Sequence, residues 1–168
     1  MTGITLSRIR RFILAPLFLA LLFVPKAPAA ADTMDLSKAI KVGSGKVMVI
    51  EFTDPDCPYC RKAEAYFRTQ PQVTRYIFLM ALPMHPGAKP KSQYILSAKD
   101  KEKAYLEVES GMYDRGKVPA PITAEGIRLQ KEHQEIAQAN SVKSTPTFMV
   151  YGRVIVGFDV NKLAPLLK

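Results

Sequence analysis

An α/β fold is predicted from two apolar runs of strand length that flank a helix, and from a short hairpin near the carboxyl end of the 168-residue chain. The runs are Lys46–Thr53 and Thr74–Leu82, and both are rich in β-branched and aromatic residues. A strand, a helix and a second strand form a βαβ unit, whose right-handed crossover makes the two strands parallel. The sequence therefore predicts a parallel pair in the centre of a sheet that is covered on both faces.

The helix of this unit is predicted to begin directly after a turn. The residues DPD at 54–56 are typical of turns and helix caps, and Pro58 suits a first helical turn. Three residues then recur at helical spacing: Cys60, Ala63 and Phe67.

A helical insertion is predicted between residues 83 and 141. The segment Asp100–Ser110 is amphipathic and is followed by Gly111, which is a common residue at a helix end. Thr123 can cap a further helix that runs to about Asn140.

The chain is predicted to close with a hairpin and a helix. The short apolar runs Thr147–Tyr151 and Val154–Val156 are joined by Gly152-Arg153, where glycine in the first position favours a type II′ turn. Residues Asn161–Leu167 are predicted to form the last helix.

Residues 1–31 are predicted to be a secretory signal peptide. Arginines at positions 8, 10 and 11 precede the apolar run Phe12–Val24, and small residues allow cleavage after Ala29 or Ala31. A retained membrane anchor is the alternative, but the run is shorter than the roughly 20 residues that a spanning helix needs. Residues 32–45 would then be a short lead before a single domain at 46–168.

The net charge of +9 does not indicate a nucleic-acid-binding protein. Four of the 24 basic residues lie in the predicted signal peptide, and the others are scattered. The modest cluster of Lys99, Lys101 and Lys103 is interrupted by Asp100 and Glu102, as on a solvated helix face. Nucleic acid is therefore not an expected partner.

The two cysteines of the chain, Cys57 and Cys60, are too close in sequence to form a useful structural staple. A disulfide stabilises a protein mainly by closing a long loop in the unfolded chain, and this pair closes almost none. Redox chemistry and metal binding remain as the possible roles of the pair. Both sulfurs lie at the amino end of the predicted helix, where free N–H groups and the helix dipole favour a thiolate. The charge of neighbouring Asp56 opposes this effect, so a moderate lowering of the Cys57 pKa is expected.

This order of motifs resembles the thioredoxin fold, with a helical insertion between the βαβ unit and a hairpin that contains a cis-proline. More narrowly, it is similar to the catalytic domain of the periplasmic disulfide isomerases of the DsbC/DsbG type. The segments that carry the likeness are EFTDPDCPYC (51–60), AKDKEKAYLEVESG (98–111) and STPTFMVYGRVIVGFD (144–159). The likeness covers residues 46–168.

The resemblance implies a role for each residue of the CPYC motif. Cys57 matches the exposed nucleophilic cysteine of the family, and Cys60 matches the buried resolving cysteine. Pro58 and Tyr59 form the variable pair that tunes the redox potential and lies beside the substrate.

The resemblance also implies a substrate-binding role for Thr145 and Pro146. Pro146 matches the proline whose preceding peptide bond is cis and which faces the two cysteines. Thr145 matches the residue whose backbone pairs with the substrate.

Glu51 is a candidate for proton transfer. It is a charged residue inside an apolar strand, six positions before Cys57, where the wider thioredoxin superfamily often carries a buried carboxylate. Burial raises the pKa of a carboxyl group, which suits a group that takes and returns the Cys60 proton. The alternative is a residue that leans to the surface or pairs with an arginine such as Arg75.

The expected function is thiol-disulfide exchange in the periplasm, as a reductase, oxidase or isomerase of exported proteins. A membrane redox partner is expected to reset the cysteine pair, and no cofactor or metal is expected. One alternative is a thioredoxin-fold module that binds a soft metal, copper or zinc, although His85 and His133 are expected to be surface or packing residues. The other is a redox-inert adaptor of a secretion or pilus apparatus.

A monomer is expected, because residues 32–45 are too few for the dimerisation domain that precedes the catalytic domain in the resembled isomerases. The alternative is a dimer formed through exposed apolar residues of the insertion: Tyr94, Ile95, Tyr105, Leu106 and Val108.

Overall fold

The computed structural model describes residues 34–115, 118–119 and 121–168, which build a five-stranded mixed sheet with helices on both faces. The predicted signal peptide lies outside the described residues. The strands are β1 (Ile40–Val42), β2 (Val47–Thr53), β3 (Val73–Leu79), β4 (Thr147–Val150) and β5 (Arg153–Val156). The helices are α1 (Pro58–Phe67), α2 (Ala88–Ser97), α3 (Lys101–Glu109), α4 (Ala124–Ala139) and α5 (Val160–Leu163), with short 3₁₀ turns at Leu36–Lys38 and Ala164–Leu166.

The predicted βαβ unit is present at the centre of the sheet, whose strand order is β1-β3-β2-β4-β5. Strands β2 and β3 are parallel and pair from Val47 opposite Val73 to Thr53 opposite Leu79. Strand β3 ends at Leu79, three residues earlier than predicted. Its partner strand β2 ends at Thr53, opposite Leu79, so the residues after Leu79 have no strand to pair with.

The region that was predicted to be a lead contributes to the sheet. Strand β1 pairs with β3 in the antiparallel direction, and Ile40 lies opposite Ile77. Three residues are too few to show strand periodicity, which explains why the sequence pattern did not indicate this strand.

The hairpin turn differs from the one predicted. Val150 pairs with Arg153, so the two turn residues are Tyr151 and Gly152, with φ of 48° and 75°. Two left-handed residues in succession are typical of a type I′ turn, whose twist matches that of the flanking strands. The prediction of a type II′ turn at Gly152-Arg153 was therefore wrong by one residue.

The insertion contains the two predicted helices and one that was not predicted. Thr123 caps α4 as expected, since its side chain accepts a hydrogen bond from Gly126 N. Asp100 caps α3 in the same way and accepts a hydrogen bond from Lys103 N. Helix α2 was missed because Pro90 usually marks a break. Here Pro90 lies in the first helical turn, where a backbone N–H is not needed.

The two faces of β2 are covered by different helices. On one face Val49 packs with Ala63 and Phe67 of α1. On the other face Phe52 packs with Ala137 of α4. Among the described residues, no helix is both long and apolar enough to cross a membrane.

The insertion has its own core, which contains three of the five residues considered for a dimer interface. Ile95 of α2 and Tyr105 and Val108 of α3 are fully buried against β3, in a cluster that includes Ile77. Side chains that fill a core do not contribute to an exposed dimerisation patch, so these three residues are not available to the dimer considered from sequence. Tyr94 and Leu106 are only partly buried, and the oligomeric state stays a prediction.

A buried histidine joins helix α4 to the sheet. Nδ1 of His133 accepts a hydrogen bond from the backbone N–H of Leu79 at 3.0 Å. Nε2 therefore carries the proton and donates to the carbonyl of Lys38 at 2.8 Å. His133 is fully buried, and burial lowers its pKa to about 4. It is a packing residue, in agreement with the expectation from sequence.

The first prediction concerns the pH dependence that His133 gives to stability. The unfolded chain protonates this histidine near pH 6.5 but the folded protein does so only near about 4, so its contribution to stability falls as the pH falls between these values. The free energy of unfolding of the wild type, relative to that of His133→Gln, should decrease by roughly 3 kcal/mol from pH 7 to pH 4. Denaturant titrations at several pH values measure this difference. A constant difference would contradict the assignment of a neutral buried imidazole.

Candidate active site

Cys57 and Cys60 lie at the amino end of α1, as the sequence predicted. Cys57 is the N-cap residue and Pro58 is the first helical residue. Both thiols are free, and Cys57 retains 5% of its surface exposed while Cys60 retains none. Cys57 is thus the more accessible of the two, although the protein covers most of it.

The two thiols have opposite pKa shifts. The pKa of Cys57 is lowered to about 5, mainly by a hydrogen bond from the Cys60 thiol. Burial would raise this pKa. The backbone N–H groups of Cys60 and Tyr59 and the Thr145 hydroxyl lower it further. Burial raises the pKa of Cys60, and its hydrogen bond to Cys57 raises it further. At neutral pH the pair is therefore a thiolate at Cys57 beside a neutral thiol at Cys60.

The shift at Cys57 is larger than the moderate one expected, because the Cys60 thiol donates to the thiolate. The charge of Asp56, which was expected to oppose the shift, is paired with two cations. Asp56 lies 2.5 Å from the ammonium group of Lys91, on α2, and 3.9 Å from the guanidinium group of Arg61. Both cations also contact Asp114, after α3. The sequence pattern gave no sign that the insertion would supply this partner for Asp56.

Asp54 fixes the loop between β2 and the cysteines. Its carboxylate accepts hydrogen bonds from the backbone N–H groups of Asp56 at 2.8 Å and Leu82 at 2.7 Å. Its own backbone N–H points to the sulfur of Cys60 at 3.4 Å. Nδ1 of His85 lies 3.0 Å from the same carboxylate. Asp54 is fully buried, so it is more than the turn residue that the sequence suggested.

Thr145 and Pro146 face the cysteine pair across the site. The peptide bond between them is cis, as the resemblance implied. The carbonyl oxygen of Thr145 lies 3.6 Å from the sulfur of Cys57, and the carbonyl of Pro146 accepts a hydrogen bond from Gly157 N at 2.8 Å. The Thr145 segment is thus held next to the sulfur of Cys57, the more exposed of the two cysteines.

Comparison with known proteins identifies the family. A family model described as a thioredoxin-like domain matches residues 34–158. The chain belongs to the thioredoxin-like domain family. Its fold class is the one predicted, a thioredoxin fold with a helical insertion before the cis-proline hairpin.

Solved structures of this fold include proteins of disulfide exchange. The disulfide interchange protein from Neisseria gonorrhoeae is 30% identical, with a TM-score of 0.69, and the match covers 80% of this chain and 96% of that chain. The catalytic domain of Proteus mirabilis ScsC is 18% identical, with a TM-score of 0.60 and coverage of 77% and 87%. A periplasmic thioredoxin-like protein from Salmonella enterica serovar Typhimurium is 16% identical, with a TM-score of 0.58 and coverage of 82% and 92%. No curated protein matches the chain.

The Glu51 carboxylate of this thioredoxin-like domain is buried in an ionic network. Its Oε2 lies 3.0 Å from Arg75, which also contacts Glu64 of α1 at 2.6 Å. Burial raises the pKa of Glu51, and Arg75 opposes that effect. The pairing with Arg75 that the sequence analysis considered is therefore present, and the role in proton transfer stays a prediction.

Helix α3 adds two further buried groups to this network, Tyr105 and Glu109. Neither carboxyl oxygen of Glu109 has a hydrogen-bond partner among the described residues. Burial raises the pKa of Glu109 well above its ordinary value, and the neighbouring Glu51 charge adds to the effect. The network thus favours the protonated form of Glu109.

The described residues contain no group of three or more His, Cys, Asp or Glu side chains that could hold a metal ion. The exposed residues of the motif are Pro58 and Tyr59, and 58% of the surface of Tyr59 is accessible. Their predicted contact with substrate remains a prediction.

The second prediction concerns the ionisation of Cys57. In the reduced protein, the ultraviolet absorbance of the thiolate should titrate with a midpoint of about 5. Cys60→Ala should raise this midpoint, because the thiol of Cys60 is the main donor to the thiolate. Cys57→Ser, as a control, should show no transition in this range. An unchanged midpoint in Cys60→Ala would contradict the proposed source of the shift.

The third prediction concerns the partner of Asp56. Lys91→Met leaves the Asp56 charge beside Cys57 less well neutralised, so the Cys57 midpoint should rise by roughly half a unit to one unit. Lys89→Met is the matched control, because Lys89 lies exposed on the same helix and forms no ion pair in the described residues. Equal midpoints in the two variants would show that Lys91 does not act on the thiolate.

Proposed function

We propose that the protein is a periplasmic oxidoreductase that exchanges disulfides with exported proteins, as the DsbC/DsbG resemblance implies. The observation that supports this best is the asymmetry of the pair, in which a stabilised thiolate at Cys57 adjoins the neutral, buried thiol of Cys60. A thiolate is the nucleophile of disulfide exchange, and a buried neighbouring thiol is suited to resolve the product.

The reaction follows from this arrangement. The Cys57 thiolate attacks one sulfur of a substrate disulfide, a mixed disulfide forms, and the other substrate sulfur leaves as a thiolate. Cys60 then loses its proton and attacks the Cys57 sulfur, which releases the second substrate sulfur and leaves a Cys57–Cys60 disulfide. The substrate gains two electrons and the protein loses two, and the reverse sequence oxidises a substrate dithiol.

The substrate is proposed to bind along the Thr145 edge. The Thr145 carbonyl lies beside the Cys57 sulfur, and Pro146, Pro58 and the exposed Tyr59 border it. A backbone edge of this kind pairs with extended peptides of many sequences. Glu51 is proposed to take and return the Cys60 proton.

The low pKa of Cys57 favours one direction of exchange. A stabilised thiolate stabilises the reduced protein, and a stabilised reduced form makes the disulfide form a stronger oxidant. The protein is therefore proposed to give its disulfide to substrates and to be reoxidised by a membrane redox partner. The export signal predicted at residues 1–31 would place it in the periplasm, as a monomer.

The fourth prediction tests this function on the mature protein. The wild type should catalyse reduction of insulin by a small thiol and oxidation of a reduced peptide, and Cys57→Ser should do neither. Cys60→Ser should accumulate a mixed disulfide with the substrate, because the second attack is lost. Equilibration with glutathione should give a reduction potential above the value of thioredoxin, about −270 mV.

The outcomes separate the proposal from its alternatives. A wild type that catalyses neither reaction and holds no metal would support a redox-inert adaptor. An inactive wild type that binds copper or zinc, and loses the metal in Cys57→Ser, would support a metal-binding module. An active protein with a potential at or below that of thioredoxin would retain the exchange function and overturn the proposed direction.

A further inference from the structure

Thr53, the last residue of β2, lies between Glu51 and the resolving cysteine. Residues two apart in a strand lie on the same face of the sheet, so the side chains of Glu51 and Thr53 are neighbours on the face that α1 covers. The residue after Thr53 is Asp54, whose backbone N–H lies 3.4 Å from the Cys60 sulfur. The end of this strand therefore brings the three side chains into one buried region.

Two polar atoms in this region have no hydrogen-bond partner among the described residues. They are Oε1 of Glu51 and the hydroxyl oxygen of Thr53, and both residues are fully buried. The other carboxylate oxygen, Oε2, is bound by Arg75, so Oε1 is the acceptor that remains. Buried polar atoms nearly always have a partner in folded proteins, so an unpaired acceptor near an unpaired hydroxyl calls for an explanation.

We propose that the Thr53 hydroxyl relays the proton of Cys60 to the Glu51 carboxylate when the mixed disulfide is resolved. The inference rests on the proposed function and adds a proton-transfer residue to it. A threonine hydroxyl can donate and accept at the same time, so it can connect a thiol donor to a carboxylate acceptor.

The step balances in protons and electrons. The Cys60 thiol gives its proton to the Thr53 oxygen while the Thr53 hydroxyl gives its proton to Oε1 of Glu51, so that a thiolate and a carboxylic acid form. The Cys60 thiolate attacks the Cys57 sulfur, the Cys57–substrate bond breaks, and the substrate sulfur leaves as a thiolate that takes a proton from water. Glu51 returns its proton to solvent or to Cys60 in the next cycle.

The surroundings of each group suit this transfer. Burial raises the pKa of Glu51 and of Cys60, and in each case the adjacent Thr53 hydroxyl opposes that rise. The other titratable groups that face Glu51 are Arg75 on β3, Glu64 on α1, and Tyr105 and Glu109 on α3. Among the residues that shift these pKa values, Thr53 is the one that lowers both the pKa of the Glu51 carboxyl group and that of the Cys60 thiol.

A two-phase reaction with dithiobis(nitrobenzoate) tests the relay. The reduced protein attacks this disulfide through Cys57 and releases one coloured nitrothiobenzoate, and Cys60 then releases the second. Thr53→Val, which removes the hydroxyl and keeps the shape, should slow the second phase roughly tenfold to a hundredfold, within the range of general acid–base effects. The first phase should change less than twofold, and Thr53→Ser should restore the second phase.

Two further variants make the result specific. Glu51→Gln should slow the second phase, and Thr53→Val/Glu51→Gln should be no slower than the slower single variant, because both changes break one path. Thr74→Val is the matched control for loss of a buried threonine hydroxyl in the sheet, and its second phase should match that of the wild type. Far-ultraviolet circular dichroism confirms that each variant is folded.

An unchanged second phase in Thr53→Val would overturn the relay, and so would additive effects in the double variant. Equal slowing of both phases would also overturn it, since that result would show a general disturbance of the site. The small disulfide needs no protein substrate, so this result does not depend on whether insulin or peptides are substrates. A failure of the proposed function and a failure of the relay are therefore separate outcomes.

Discussion

One buried carboxylate, that of Asp54, holds together the segments from which the site is built. It accepts hydrogen bonds from Asp56, in the cysteine loop, and from Leu82, in the segment after β3. Its backbone also contacts the Cys60 sulfur. Loss of these acceptors would leave two partly buried N–H groups unpaired, at a cost of about 1 kcal/mol each. The position of both sulfurs relative to the sheet therefore depends on this residue.

Two groups of acidic residues near the cysteines have opposite physical environments. Asp56 and Asp114 lie near the surface, where Arg61 and Lys91 form ion pairs with them. The carboxylates of Glu51, Glu64 and Glu109 are buried: Arg75 contacts Glu51 and Glu64, Arg68 also pairs with Glu64, and Glu109 has no hydrogen-bond partner among the described residues. Burial raises the pKa of Glu51 and of Glu109. The inner group therefore differs from the outer one, because two of its carboxyl groups bind a proton more readily than they would in water.

The sequence predicted those features that depend on local patterns. Strand β2, helix α1 and the cap at Thr123 follow from periodicity and from a side chain that bonds its own helix. The turn type was missed because it depends on the register of β4 against β5, which shifts the turn to Tyr151-Gly152.

The features that the sequence did not predict depend on contacts between distant segments. Lys91 meets Asp56 only after α2 has packed beside the cysteine loop, and no spacing of residues in the chain encodes that distance. The Leu82 contact of Asp54 is of the same kind. The pairing of Glu51 with Arg75 could be considered in advance, because both residues interrupt apolar strands that were predicted to be neighbours.

The helical insertion therefore acts on the chemistry of the site as well as on the core. Helices α2 and α4 approach each other closely, because Gly126 of α4 has no side chain at the point where a Cβ atom would meet the Ser97 hydroxyl of α2. Close packing of α2 restricts the position of Lys91, whose ammonium group bridges Asp56 and Asp114. A side chain on a rigid helix neutralises a neighbouring charge more effectively than one on a mobile loop, since less conformational entropy is lost in each contact. The same thioredoxin-like sheet with a different insertion would thus lack the Lys91 ion pair and leave Asp56 with Arg61 of α1 at 3.9 Å.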